Sequence, residues 1–231
     1  MPTMKTTLLA GVLGASFSTM GLSSAQATTV FDFLTPAGDP CGVACSTHQY
    51  TVGGVSITAA GFTGSFSGGS FSSTGAVNLW DKTGGGDENG LGLKNDPNGQ
   101  PSSPQNEITF GSFVRITMPA GLTAASFSMG STTSTQPESW TVYGCTAATS
   151  GCTALITGGN DESSHSLTLD KFYYFTEATA NTTDNTPNVL LHELDVTTPL
   201  PAALPLFATG LGAVGLLGWR RKRKASAAIA A

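Results

Sequence analysis

The chain has 231 residues, 39% of them hydrophobic and 11% charged, with 29 glycines, four cysteines and a formal net charge of −5. The length allows one domain with its own core, and the acidic stretch 28–197, which has no basic stripe, is not built for nucleic acid or an anionic surface. The charge is also uneven: all 15 acidic residues fall in 28–197, which holds only Lys82, Lys94, Arg115 and Lys171 of the ten basic ones, a net of −11.

Lys5, an apolar stretch over 8–20 and Ala25-Gln26-Ala27 have the charged region, apolar region and Ala-x-Ala site of a secretory signal peptide. Residues 1–27 are therefore expected to be removed before Thr28. A retained anchor is the alternative, and the shortness of the apolar region, broken by Gly11 and Gly14, argues against it.

From 28 to 197 apolar residues alternate rather than recur at helical spacing. The pattern predicts strands at 30–33, 49–52, 55–60, 76–80, 107–110, 113–118, 124–129, 139–144, 154–157, 167–169, 172–176 and 188–196. Gly53-Gly54 reads as a tight hairpin loop and the segment after Pro119 as another turn. Many short strands with no amphipathic helix between them favour an all-β fold, an antiparallel β-sandwich of jelly-roll type. Two zones interrupt the strands. The first, 63–74, is rich in Gly, Ser and Phe; Phe62, Phe66 and Phe71 are either inward anchors or an exposed aromatic strip, and core packing is favoured. The second, 81–105, reads as a long polar loop, and loops of that length are functional or disordered.

Four cysteines in an exported chain favour disulfides, and three pairings exist. The spacing suggests two local bridges, Cys41 with Cys45 and Cys145 with Cys152. Zinc is the alternative, but neither pair is a Cys-x-x-Cys knuckle and export opposes free thiolates.

Catalytic motifs are missing from the sequence: there is no Gly-x-Ser-x-Gly elbow, His-Glu-x-x-His pair or phosphate loop. His48, His165 and His192 are far apart, and His192 reads as a cross-strand surface residue. A hydrolase would need a cleft with two facing carboxylates, which spacing alone does not supply. The densest set of hard oxygen ligands is Asp81, Asp87, Glu88, Asn89, Asn95 and Asp96, a composition suited to calcium, although Leu91 breaks the EF-hand pattern. No cofactor is expected; calcium is the one candidate, and a purely solvated loop is favoured over a specific ion site.

The C-terminus has three parts: Thr198 with Pro199-Leu200-Pro201-Ala202, an apolar run over 203–219, and the cluster Arg220, Arg221, Lys222, Arg223 and Lys224. As a helix the run, with Ala202, would extend about 27 Å, close to a hydrocarbon core of about 30 Å. The five cations should then stay cytoplasmic, which places the body outside. A buried or interfacial helix is the alternative, and the absence of a polar face opposes it.

These residues resemble the sorting signal of PEP-CTERM proteins, in the variant with a Val-Pro-Leu-Pro-Ala motif. Thr198 stands where that variant usually has Val, and Leu200 where the parent motif has Glu. The resemblance implies processing by the membrane protease-transpeptidase exosortase, after secretion across the inner membrane of a Gram-negative, exopolysaccharide-producing organism. It also implies a cell-surface or matrix destination, with the membrane engaged transiently through the helix. Asn78-Leu79-Trp80, Asn89-Gly90-Leu91-Gly92-Leu93 and Asn106-Glu107-Ile108-Thr109 further resemble a β-sandwich body found on such tails.

The expected organisation is thus a signal peptide (1–27), a β-sandwich (28–197) and a sorting signal (198–231) of motif (198–202), single transmembrane helix (203–219) and basic cluster (220–224). Two roles are expected. One is a non-catalytic surface or matrix protein associated with exopolysaccharide. The other is a carbohydrate-binding module using Trp80, Trp140 or Tyr143, which would have to be exposed.

Overall fold

A computed structural model describes residues 26–34, 40–41, 44–83, 88–98, 106–131, 138–159, 163–178 and 188–200, together with Phe207, Leu211, Val214 and Gly215. In chain order the strands are β1 (Gln26–Asp32), β2 (Thr47–Val52), β3 (Val55–Ser67), β4 (Ser70–Val77), β5 (Leu79–Thr83), β6 (Asn89–Leu93) and β7 (Ser112–Thr117). They continue as β8 (Ala124–Gly130), β9 (Ser139–Ala147), β10 (Ser150–Gly159), β11 (His165–Leu167), β12 (Phe172–Glu177) and β13 (Leu190–Pro199).

The described residues from 26 to 200 are all-β, in two antiparallel sheets. The first runs β11-β8-β13-β6-β5, with β1 added to β13; the second runs β2-β3-β4-β10-β9-β12-β7. Period-2 alternation aims one face of each sheet at the other. Phe31, Leu91, Phe127, Met129 and Leu194 of the first meet Ile57, Val114, Ile116, Trp140 and Phe175 of the second in one buried cluster. Each such side chain stabilises the fold by about 1.5–3 kcal/mol through burial.

The second sheet also carries a core on its far face. Phe71, Phe113, Tyr174 and the bonded Cys145 and Cys152 are buried there, with Phe62, Phe66, Tyr143 and Phe172 packed against them half-buried. A sheet with apolar residues on both faces must curl or be covered, and this one curls. Besides β4, β3 pairs with β7, and the tip of the β3–β4 hairpin reaches the tip of β9–β10: Ser150 pairs with Ser70, and Cys152 N donates to Gly69 O at 2.9 Å. Six strands thereby form a closed circuit of pairings around the aromatic cluster.

Two segments differ from expectation. Residues 63–74 are an ordered hairpin: β3 continues to Ser67 and β4 begins at Ser70, across Gly68 and Gly69 with φ of 56° and 75°. That is the same primed-turn chemistry as Gly53 and Gly54, with φ of 57° and 83°. The segment 81–105 is not one long loop, because the rest of β5 and all of β6 lie in it. Among other adjustments, the strand expected at 107–110 is reduced to one bridge between Ile108 and Val189.

Among the described residues no helix is long and apolar enough to cross a membrane. Of the expected span, Phe207, Leu211, Val214 and Gly215 are helical, and the first three are exposed. The expected signal peptide up to residue 25 lies outside the described residues.

Candidate functional site

The acidic segment singled out in the sequence is divided among separate partners. Asp81, on β5, turns inward and accepts a hydrogen bond from Tyr50 Oη at 3.1 Å. Burial lifts its carboxyl to about 7, against the opposing effect of that hydrogen bond. The Tyr50 hydroxyl is pushed up in turn, by burial and then by Asp81.

Glu88 forms a different group. Lys82 Nζ pairs with both Glu88 and Glu107, and Ser131 Oγ donates to Glu88 Oε1 at 3.2 Å. Glu107 is 2% exposed, and burial raises it to about 8 even though Lys82 pulls it down; Glu88 adds to the rise. Glu88 is less buried, so burial raises it only until Lys82, beside it, outweighs the effect and its carboxyl falls below the usual range. One lysine thus holds two carboxyl groups of opposite tendency, the arrangement by which one site can keep an acid and a base apart.

Asp96 is saturated by the protein. Oδ1 accepts from Asn98 N at 3.0 Å and Ser112 Oγ at 2.5 Å, and Oδ2 accepts from Thr109 N at 3.1 Å and Thr109 Oγ1 at 2.7 Å. Asn95 donates its N–H to Asn106 Oδ1 at 2.9 Å, and Asn89 opens β6. Asp87 lies outside the described residues. The described members of the expected calcium set therefore do not converge: Asp81 faces Tyr50, Glu88 faces Lys82, and Asp96 braces the turn before β7.

Both expected disulfides, Cys41–Cys45 and Cys145–Cys152, are formed. His48 Nδ1 lies 3.3 Å from Cys41 Sγ, and this cluster of Cys41, Cys45 and His48 would offer thiolates to a metal only with the bridge reduced.

His192 is a correction. Instead of standing on the surface it is 8% exposed, at a bulge in β13 between Leu191 and Glu193. Gly90 and Gly130 flank it, and their missing side chains leave the slot its ring fills.

The three expected sugar-facing rings have separate fates. Trp140 is fully buried and is excluded from any surface role. Trp80 is half-buried beneath Lys94, whose Nζ lies 4.7 Å from the ring centroid. Tyr143 is half-buried and stacked on Phe66, with centroids 3.9 Å apart.

Beside Tyr143 lies a feature that spacing alone did not single out. The Arg115 guanidinium sits over Phe62, Phe172 and Tyr174 at 4.7, 5.7 and 5.9 Å. The sequence signal was available, since Arg115 is the only arginine between the two ends of the chain. A cleft of about 450 Å³ lies at Lys171, whose Nζ is 5.5 Å from the Phe172 centroid; it is lined by Pro119, Leu122, Thr146, Leu169 and Asp170 among others, and not by Arg115 or the three rings.

Of the expected sorting motif, Pro199 ends β13 and Leu200 follows it, whereas Pro201, Ala202 and the basic cluster Arg220 to Lys224 lie outside the described residues. No protein-family model, curated protein or solved structure matches the chain.

Proposed function

We propose that the chain is an exported, non-catalytic protein of the cell surface or extracellular matrix, sorted by an exosortase and associated with exopolysaccharide. The body is a β-sandwich of jelly-roll type. The observation that carries this reading is the order of the C-terminus: Pro199-Leu200-Pro201-Ala202, then an uncharged run, then Arg220 to Lys224. Two disulfides with no free cysteine among the described residues fit an oxidising compartment outside the cytoplasm. A body carrying −11 stays soluble in a crowded anionic matrix. The test is the C-terminal mass of the native protein with and without the exosortase. Loss of the residues beyond the motif only when the protease is present supports the reading, and an intact Lys224 on surface material overturns it.

A second reading, a carbohydrate-binding module, is favoured by a specific observation. Tyr143 and Phe172 are only partly buried where the second sheet curls, and a partly exposed ring can stack on a sugar face.

A further inference from the structure

We infer that the face around Phe172 binds a carboxylate-bearing sugar, such as a uronic acid unit of an acidic polysaccharide. This inference rests on the carbohydrate-binding reading and names its ligand class.

The body between the two ends has four cations against fifteen anions, and two of those four converge on one ring. Arg115 Cζ lies 5.7 Å and Lys171 Nζ 5.5 Å from the Phe172 centroid. Phe172 is half-buried and Lys171 is exposed. The Arg115 Nε is buried and has no hydrogen-bond partner, and the ion pairs found among the described residues belong to Lys82, not to Arg115. The Nε itself is closed to solvent, so a ligand carboxylate would be met by the terminal nitrogens of the guanidinium, a planar fork that no ion pair found among the described residues occupies. Lys171 also lines a cleft of about 450 Å³ whose wall includes apolar Pro119, Leu122 and Leu169 and the acidic Asp170; Arg115 and Phe172 are not among its lining residues.

These parts match the chemistry of a uronic acid. The apolar C–H face of the sugar ring packs on an aromatic face, and its carboxylate requires a cation within reach. A neutral sugar would use the ring and leave both cations idle. A free carboxylate with no sugar would use the cations and leave the apolar wall empty. The surrounding body repels polyanions, so the attraction is local, and affinity should be modest and fall with salt.

The test is calorimetry of the full chain with oligogalacturonate and oligomannuronate, each compared with its carboxyl-reduced neutral form. Expected are binding of at least one acidic oligomer, binding of its neutral form weakened by about tenfold or more, and weakening with added salt. Lys171→Gln, a surface change, and Arg115→Gln should each weaken the acidic oligomer several-fold while melting temperature holds; Arg115→Lys should retain part of the binding. Should Arg115→Gln fail to fold, Lys171→Gln and the neutral oligomers still decide. No binding of either acid, or equal binding of acidic and neutral forms, or wild-type affinity in Lys171→Gln, overturns the inference. Tight binding of the neutral forms alone would leave the carbohydrate-binding reading standing while this one falls, and sorting is decided separately by the C-terminal mass.

Discussion

Ala27 lies directly opposite Thr198 on the antiparallel pair of β1 and β13, with Gln26 opposite Pro199. The residue before the expected leader cleavage and the first residue of the expected sorting motif are therefore neighbours. Both ends of the body leave from one corner. Thr28 to Asp32 still pair with Thr197 to Glu193 after either end is removed.

The first prediction follows from that register. A chain reduced to 28–198 loses only the outermost rungs, and its stability should stay within about 1 kcal/mol of the untrimmed body. A chain ending at Asp195 also loses buried Val196 and the Thr197 carbonyl that accepts from Thr123 N at 2.8 Å. That second cut should cost about 2–4 kcal/mol in urea unfolding. Equal midpoints for the two would show that the β1–β13 pair does not close the sheet.

Gly130 is predicted to be intolerant of any side chain. A Cβ there would fall inside the His192 ring, whose neighbour on the other side is Gly90. Gly130→Val should destabilise by about 2 kcal/mol or more, as overpacking does. Pairing it with His192→Ala should recover part of the loss, because the smaller residue vacates the slot. A double variant no better than Gly130→Val alone would show that the strain lies in the backbone.

Much of this architecture was legible in the sequence because it depends on local alternation. Val114 to Met118 alternates, and Phe172 to Thr176 is a run of aromatic, strand-favouring residues; strands stand at both. β6 was hidden because Gly90 and Gly92 remove every other side chain from a strand of five, which leaves no period to read. The curled second sheet was hidden because Phe62, Phe66 and Phe71 report only that rings alternate, not which face bends. His192 was misplaced because its burial depends on two glycines distant in sequence. The Lys82, Glu88, Glu107 and Ser131 group spans 50 residues of chain, and only pairing brings it together.

Stability should fall as pH rises from about 4 to about 8. Asp81 is raised from 3.8 to about 7, and Glu107 from 4.5 to about 8, chiefly by burial. A carboxyl whose folded pKa is raised holds its proton more tightly when folded, so its contribution is complete below the unfolded value and lost as pH passes the folded one. Glu88, lowered, acts in the opposite sense as pH falls below its ordinary 4.5. Melting temperature should therefore be higher at pH 5 than at pH 8, and Asp81→Asn should flatten the part of the slope below about pH 7. A wild-type profile that rises from pH 5 to 8 would contradict this balance.

Asp96→Ala should destabilise the chain whether or not calcium is present. The substitution removes the acceptor of four hydrogen bonds and leaves Thr109 N and the Ser112 and Thr109 hydroxyls, on buried residues, without it. The expected loss is about 2–4 kcal/mol, since orphaned buried donors cost more than the bonds they formed. A loss seen only in millimolar calcium would instead make Asp96 a cation ligand.

The two disulfides should open in a fixed order. Cys145 and Cys152 are cross-strand partners on β9 and β10, 0% and 6% exposed beneath the aromatic cluster, whereas Cys41 and Cys45 are half-buried near the surface. A reductant reaches sulfur only where the structure lets it in. Alkylation without reductant should add nothing, mild reduction should add two groups at Cys41 and Cys45, and all four should react only with denaturant present. Replacing Cys145 and Cys152 together with Ala should cost about 2–3 kcal/mol for so short a loop, and it should loosen the Phe66–Tyr143 stack that the hairpin supports. If all four sulfurs label together under mild reduction, the aromatic cluster opens as readily as the surface loop, and the curled half of the second sheet is then an independently mobile unit rather than a second core.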